Sequence, residues 1–210
     1  MALRTIVYVD GFNLYYGALK GHEHRWLDLK ALFTSMLSDK HQIVQIKYFT
    51  AKVMSKPSDP NIKQRQTAYL SALHAYIPEI KIYYGQFKRN EVNMQNAYPP
   101  PRQARVLKTE EKGSDVNLSV HIVNDAWLDC YNCAVLVSND SDMAEALRLV
   151  KAYHPNKKIG LLNPHDRRPV YDLKKHADFS RIIKREDILS AQLPDPIPGT
   201  NIHRPQTGLQ

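Results

Sequence analysis

The fold of this chain is indicated most clearly by Ile6-Val7-Tyr8-Val9-Asp10-Gly11, where four apolar residues give way abruptly to an acid and a glycine. β-Branched and aromatic side chains in succession predict a strand buried on both faces, and the Asp-Gly pair predicts its end. The run from Ala134 to Ser138 has the same character and leads into Asn139-Asp140. Both runs therefore predict buried strands with an acid at their carboxyl ends.

On either side of these two runs, strand-like segments alternate with segments of helical spacing. Further strands are predicted over residues 43–53, 80–85, 159–162 and 179–183. Strands that alternate with helices are typical of a parallel sheet. The sequence therefore predicts an α/β protein, most simply a three-layer α/β/α fold with a central, mostly parallel sheet.

The chain is expected to form a single domain over residues 1–193, since its length is sufficient to bury a core without disulfides. Residues 88–112 interrupt the alternation, because they are polar and contain three consecutive prolines. They are predicted to form a polar excursion or a hairpin. Residues 194–210 are rich in proline and poor in apolar residues, which predicts a disordered tail.

The charge balance is basic, with 29 Lys and Arg residues against 21 acids and a formal net charge of +8. Such an excess favours polyanionic partners, nucleic acid first. No apolar run approaches the ~20 residues of a membrane helix, and the amino terminus does not resemble a secretory signal. Two cysteines, Cys130 and Cys133, are too few for a disulfide framework and are expected to be reduced thiols. A soluble, cytoplasmic protein without a membrane partner is expected, and its oligomeric state is left open.

Four acids are placed where an α/β fold gathers its ligands. Asp10 and Asp140 follow predicted strands, Asp142 begins the helix after Asp140, and Asp115 begins the helix after Gly113. Because binding crevices lie at the carboxyl ends of parallel strands, these carboxylates are expected to converge. Converging carboxylates repel one another unless a cation lies among them, and oxygen ligands favour Mg²⁺ or Mn²⁺. The alternative for each acid alone is a helix cap or turn residue.

Three segments resemble the motifs of one family, in the family's order. Residues 6–15 resemble the opening motif of the NYN domain, a branch of the PIN-like nuclease superfamily, and residues 112–116 and 137–142 resemble its second and third motifs. The chain looks closest to the LabA-like group. The resemblance implies that the four acids bind one or two divalent metals, that Asn13 orients Asp10 or a water, and that Ser138 supports the ligands. Asn139 departs from the glycine that many members carry there, without removing a ligand.

The resemblance implies a metal-dependent ribonuclease, which hydrolyses RNA phosphodiester bonds to leave a 5′-phosphate and a 3′-hydroxyl. Metal ions held by carboxylates can activate water and stabilise the leaving oxygen. Because the acidic pocket itself repels phosphate, cations around it are expected to bind the RNA backbone. The candidate cations are Lys112, Arg102, Arg105, Lys108, Arg167 and Arg168. For any one of them the alternative is an ordinary solvated surface charge.

Two other functions are compatible with parts of the sequence. One is a non-catalytic RNA-binding module on a PIN-like fold. The other is a phosphatase of the haloacid dehalogenase kind, which also begins with a strand that ends in Asp. That family requires a second Asp two residues later, where this chain has Phe12. The pair His165-Asp166 is interpreted as part of a turn, because prolines flank it.

Overall fold

The computed structural model describes residues 2–55 and 57–205. A seven-stranded sheet forms its centre, with the strand order β4-β3-β2-β1-β5-β6-β7. All neighbouring strands run parallel except β3 and β4. The strands are β1 (Leu3–Asp10), β2 (His41–Ala51), β3 (Ile80–Gln95), β4 (Gln103–Lys112), β5 (Cys133–Val137), β6 (Lys158–Asn163) and β7 (Phe179–Ile182). The predicted mostly parallel α/β sheet is confirmed.

Helices cover both faces of the sheet, which explains why β1 and β5 are apolar throughout. On one face α2 and α3 pack over a core that includes Leu32, Phe33 and Leu73. On the other face α4 and α5 pack over a core that includes Ile122 and Leu147. The helices are α1 (Gly11–Leu14), which continues as a π-helical turn (Tyr15–Leu19), α2 (Leu29–Met36), α3 (Ile62–Tyr76), α4 (Ser114–Trp127), α5 (Ala144–Tyr153), α6 (Tyr171–Lys174) and α7 (Arg185–Ser190).

The strand order reverses at the centre of the sheet. From β1 the chain builds outward through β2 and β3, and it later returns to place β5 on the other side of β1. A crevice therefore opens between the carboxyl ends of β1 and β5, the place where open α/β sheets bind their ligands. Asp10 and the segment after Val137 lie there.

Residues 88–112 form the predicted hairpin. β3 and β4 pair antiparallel from Gln86–Lys112 at the sheet to Gln95–Gln103 near the tip. β4 contains ten residues and therefore nine steps from Gln103 to Lys112. At about 3.4 Å per step, the tip of the hairpin lies roughly 30 Å from Lys112. The hairpin is a long, mostly exposed ribbon at the edge of the sheet.

Two expectations about packing are corrected. The sequence predicts an apolar stripe on α4 through Val116, Val120, Val123 and Trp127. The structure partly buries Val123 but exposes the other three, and the buried residues are Leu118 and Ile122. At about 100° per residue, position 118 lies on nearly the opposite side of the helix from position 116. Both sides are apolar, so periodicity alone does not identify the buried one.

The predicted disorder of the carboxyl-terminal segment is also wrong for residues 194–205. Ile197 is buried in the core, and the Trp26 indole N–H donates to the Pro194 carbonyl over 3.1 Å. The Arg204 guanidinium donates to the Glu23 carbonyl. Residues 206–210 lie outside the described part of the chain. Within that part, no helix combines the length and apolar character needed to cross a membrane.

Candidate functional site

Asp10 occupies the centre of the crevice, at the end of β1. Its side chain is only 5% exposed. Asp10 Oδ1 accepts the Asn13 backbone N–H over 2.9 Å, which caps α1, and Oδ2 accepts the Ser138 hydroxyl over 3.0 Å. Asp10 therefore caps a helix, which is the alternative that the sequence leaves open for it. Each carboxylate oxygen still has a second lone pair, so the cap does not preclude metal binding.

The segment after β5 brings Asp140 and Asp142 to the same crevice. Ser138 Oγ, which donates to Asp10, also accepts the Asp140 backbone N–H over 3.1 Å. Asp140 Oδ1 accepts the Asp142 N–H over 3.0 Å and caps a 3₁₀ turn at Ser141–Met143. Ser138 thus ties the ends of β1 and β5 together, as its predicted supporting role requires. Asp142 is exposed.

Asp115 enters from the other side, in the first turn of α4. The helix begins after Gly113, whose φ of 100° is strained for residues with a side chain. Glu111 Oε1 accepts the Ser114 backbone N–H over 3.1 Å, so Glu111 caps the same helix. A Cβ on Gly85 would lie 2.2 Å from that Glu111 oxygen, which shows how closely β3 approaches this helix start.

The pKa values of Asp115 and Asp10 are raised by burial and by the charges of neighbouring acids. The pKa of Asp115 is raised from 3.8 to about 6, first by partial burial and then by the charges of Asp10, Asp140, Glu111 and Asp142. The pKa of Asp10 is also raised, mainly by burial and in part by Asp140, while its hydrogen bonds act in the opposite direction. We call Asp10, Glu111, Asp115, Asp140 and Asp142 the acidic cluster.

Glu111 is a member that sequence reasoning missed. It lies in the charged, polar run of the hairpin, where a glutamate looks like an ordinary solvated residue. Its position contained a signal, because an acid three residues before Ser114, where α4 begins, can accept the first backbone N–H of that helix.

His165 lies in a bend after β6, in keeping with the turn that the sequence predicts, but its contact with the crevice was not predicted. Its Nε2 lies 3.2 Å from Asn13 Oδ1, an oxygen that also accepts the Asn139 N–H over 2.9 Å. Asn139 in turn accepts the Val170 N–H through its side-chain oxygen over 2.8 Å. A Cβ on Gly17 would lie 3.0 Å from the His165 ring, so this glycine leaves room for the imidazole. His165 follows β6, and the strand-end rule that identified Asp10 would have identified it too.

The predicted RNA-binding cations lie in three different places. Lys108 and Lys112 both form ion pairs with Glu110, at 2.5 and 3.3 Å, and Arg105 pairs with Glu91. Arg102 lies near the hairpin tip, far from the acidic cluster. Arg167 and Arg168 are exposed in the loop after β6, close in sequence to His165. Only Lys112 and this loop adjoin the cluster, so the six cations do not form one continuous patch.

The chemistry of the acidic cluster fits a hard divalent cation, since its donors are carboxylate oxygens held near one another. The side-chain positions do not yet form a ligand set. Among the described residues, no group of three or more His, Cys, Asp or Glu side chains is arranged to hold a metal ion. The assignment of Asp10, Asp115, Asp140 and Asp142 as metal ligands therefore stays a prediction, as do the roles of Asn13 and Ser138.

The fold is an α/β domain with acids at the carboxyl ends of its central strands. More particularly, the model of the NYN domain matches residues 4–183, and this chain belongs to the NYN domain family. The resemblance seen in the three motifs is thereby confirmed, and with it the place of the chain in the PIN-like nuclease superfamily. Membership of the LabA-like group stays a prediction.

Two known proteins are similar to this chain over most of its length. The 6-hydroxy-3-succinoylpyridine 3-monooxygenase HspA of Pseudomonas putida is 35% identical over 226 residues, which span 94% of this chain and 72% of that protein. A crystal structure of a Vibrio parahaemolyticus protein of unknown function superposes with a TM-score of 0.56 at 17% identity. The match covers 91% of this chain and 97% of the other, and it supports the fold alone.

Proposed function

We propose that this NYN domain is a metal-dependent ribonuclease that hydrolyses RNA phosphodiester bonds. The observation that carries the proposal is the acidic cluster, where three neighbouring aspartates and Glu111 help to raise the pKa of Asp115 to about 6. Carboxylates that repel one another in this way are stabilised by a bound cation. Membership of the NYN family supports the proposal, because PIN-like nucleases typically use divalent metals.

The cation would be Mg²⁺ or Mn²⁺, held by Asp10, Asp115, Asp140 and Asp142. When bound, it activates water and offsets the charge of the leaving oxygen in phosphodiester hydrolysis. The remaining contribution comes from the chain itself. Buried hydrogen bonds to Asp10 from Asn13 and Ser138 fix the direction of its carboxylate.

His165 contributes a proton acceptor beside the cluster. Asn13 Oδ1 accepts the Asn139 N–H and cannot donate, so the imidazole must donate from Nε2. Nδ1 has no hydrogen-bond partner among residues 2–55 and 57–205 and can accept a proton. Burial and the nearby Arg167 lower the pKa of His165, which favours the neutral ring at pH 7. Asn13 is thus a positioning residue for both Asp10 and His165.

The RNA backbone would be bound by the cations around the cluster. Lys112 and the loop that contains Arg167 and Arg168 lie nearest, and the hairpin cations would contact more distant phosphates of a longer RNA. The natural partner would therefore be an RNA that spans several nucleotides on either side of the scissile bond.

The proposal is tested by incubating the full chain with a labelled RNA in Mn²⁺, in Mg²⁺ and in EDTA. We expect cleavage only with metal, products with a 5′-phosphate, and loss of cleavage in Asp10→Asn and Asp140→Asn. Asp39→Asn, at an exposed position remote from the cluster in sequence, is the matched control and is expected to cleave normally. Cleavage that survives EDTA or both cluster substitutions contradicts the proposal. Tight RNA binding without cleavage would instead indicate a binding module, and phosphomonoester hydrolysis alone would indicate a phosphatase.

A second candidate function is hydroxylation of a small aromatic compound, favoured by the 35% identity to a protein named as a monooxygenase. Such a reaction places one oxygen atom of O₂ in the product and reduces the other to water with two electrons from a donor. The test is incubation with 6-hydroxy-3-succinoylpyridine, O₂ and a reduced nicotinamide or flavin. Incorporation of labelled oxygen into a product, without RNA cleavage, would favour this function over the nuclease.

A further inference from the structure

A cavity of about 160 Å³ lies beside the acidic cluster, on the side of the sheet that carries α1 and α3. Six aromatic side chains line it: Phe12, Tyr15, Tyr16, Trp26, Tyr48 and Tyr69. An apolar cavity of about 150 Å³ is known to be large enough for benzene. One planar ring therefore fits, with aromatic side chains available for stacked or edge-to-face contacts.

Tyr48 connects this cavity to the acidic cluster. Tyr48 lies on β2 and pairs with Val9 of β1, and the next pair along the two strands is Phe49 with Asp10. A Cβ on Gly11 would lie 2.7 Å from the Tyr48 ring, so the ring packs directly on the backbone that follows Asp10. Burial and the charge of Asp10 raise the pKa of Tyr48, which keeps the phenol protonated.

The Tyr48 hydroxyl is available to a ligand. Tyr48 is only 6% exposed, and within residues 2–55 and 57–205 its hydroxyl makes no hydrogen bond and is not one of the fully enclosed, unpaired polar atoms. Two other polar groups of the wall are already used, since Tyr69 donates to Leu27 and the Trp26 indole donates to Pro194. Because Tyr48 lines the cavity, a polar atom of an occupant can pair with its hydroxyl.

Three half-exposed arginines, Arg25, Arg65 and Arg204, line the more solvent-exposed part of the cavity. Arg65 is neutralised by Asp59, and Arg204 donates to the backbone carbonyl of Glu23. Arg25 donates from Nε to the His22 carbonyl over 2.6 Å, and neither terminal nitrogen has a partner within the described part of the chain, so both can bind an anion. One acid, Glu23, also lines the cavity. It is exposed, and its Oε1 lies 3.2 Å from His24 Nε2.

We infer that this aromatic cavity binds a small molecule, or one residue of a larger one, that joins a planar aromatic ring to an anionic group. The ring lies among the aromatic walls, a polar ring atom pairs with the Tyr48 hydroxyl, and the anion pairs with Arg25. A nucleotide and an aromatic carboxylic acid share this chemistry. The inference goes beyond the proposed ribonuclease, because it needs neither the metal nor phosphodiester cleavage.

The test uses Trp26 as a reporter in EDTA buffer. The chain has two tryptophans, and a Trp127→Phe variant removes the exposed one, so that the remaining emission comes from the cavity wall. The probes are UMP and AMP as nucleotides, nicotinate as an aromatic acid, and uridine and nicotinamide as neutral partners. Calorimetry with the unmodified chain provides a second measurement of affinity.

We expect at least one anionic probe to change the Trp26 emission saturably and to bind about tenfold more tightly than its neutral partner. Arg25→Ala should weaken that binding about tenfold, Arg25→Lys should retain part of it, and Arg89→Ala on the hairpin should have no effect. Leu70→Phe, which adds volume to the cavity wall, should abolish binding in a protein that still unfolds cooperatively.

Binding of UMP or AMP would make the cavity a binding site for a nucleotide base beside the acidic cluster. Binding of nicotinate would make it a site for aromatic acids. Either outcome supports the inference. No saturable binding of any anionic probe overturns it. Equal affinity for neutral and anionic partners, or binding that is insensitive to both Arg25→Ala and Leu70→Phe, also overturns it. Because EDTA is present throughout, these outcomes do not depend on whether the chain cleaves RNA.

Discussion

Asp115→Asn is expected to stabilise the metal-free protein at neutral pH. The folded pKa of Asp115, about 6, lies above its ordinary value of 3.8, so the folded state binds the proton more tightly than the unfolded state. The contribution of this carboxyl to stability is therefore largest below pH 4 and falls as the pH rises from about 4 to about 6. At full burial this difference corresponds to about 3 kcal/mol. Asp115 is only partly buried, and solvent screening reduces the expected effect to about 1 kcal/mol.

The assay is urea unfolding in EDTA over a range of about pH 3.5 to 8, which brackets both pKa values of Asp115. Asp115→Asn should exceed the unsubstituted chain by about 1 kcal/mol above pH 7, and the two should converge near pH 4. Asp39→Asn is the matched control and should differ by less than about 0.5 kcal/mol at every pH. Equal stability of Asp115→Asn and the unsubstituted chain at pH 7, or a loss of stability, would refute the mutual repulsion of the cluster.

Three further predictions concern other contacts. Ser138→Ala removes the hydroxyl that links Asp10 to the segment after β5. We expect RNA cleavage to fall about tenfold to a hundredfold while the circular dichroism spectrum stays unchanged. Normal cleavage would show that Asp10 does not need this hydrogen bond. Lys47 forms a buried ion pair with Asp125, and Lys47→Met leaves that carboxylate without its cation. We expect the free energy of unfolding, measured in urea, to fall by about 3–5 kcal/mol. A loss below about 1 kcal/mol would mean that the pair is not buried in solution. Lys112→Ala should reduce the salt dependence of RNA binding by about 0.7 in logarithmic slope, measured by anisotropy, and an unchanged slope would exclude a phosphate contact.

Much of the fold was predictable because its strands are unusually clear. The runs that became β1 and β5 are apolar and β-branched, and a strand buried on both faces needs that composition. The positions of Asp10 and Asp140 followed from the same logic, since parallel strands present their carboxyl ends at one edge. The alternation of strands and helices then determined the class of fold.

What escaped prediction depends on contacts between distant segments. The prolines after Pro194 suggest disorder, yet Ile197 is buried and the Trp26 indole donates to Pro194. Likewise, His165 looks like a turn histidine until the sheet brings it to Asn13. Local composition contains no signal for these two contacts, because each joins segments far apart in the chain. The contact of Glu111 with Ser114 is different, since it is local and its signal was present in the sequence.

In the proposed function, the acidic cluster holds a divalent cation that RNA cleavage requires. Bound Mn²⁺ and the cleavage rate can be measured together in one titration, by electron paramagnetic resonance and by RNA hydrolysis. We expect the rate to rise in proportion to bound Mn²⁺ and Asp10→Asn to lose both together. Cleavage that proceeds without bound Mn²⁺, or that persists at full rate in Asp10→Asn, would contradict it.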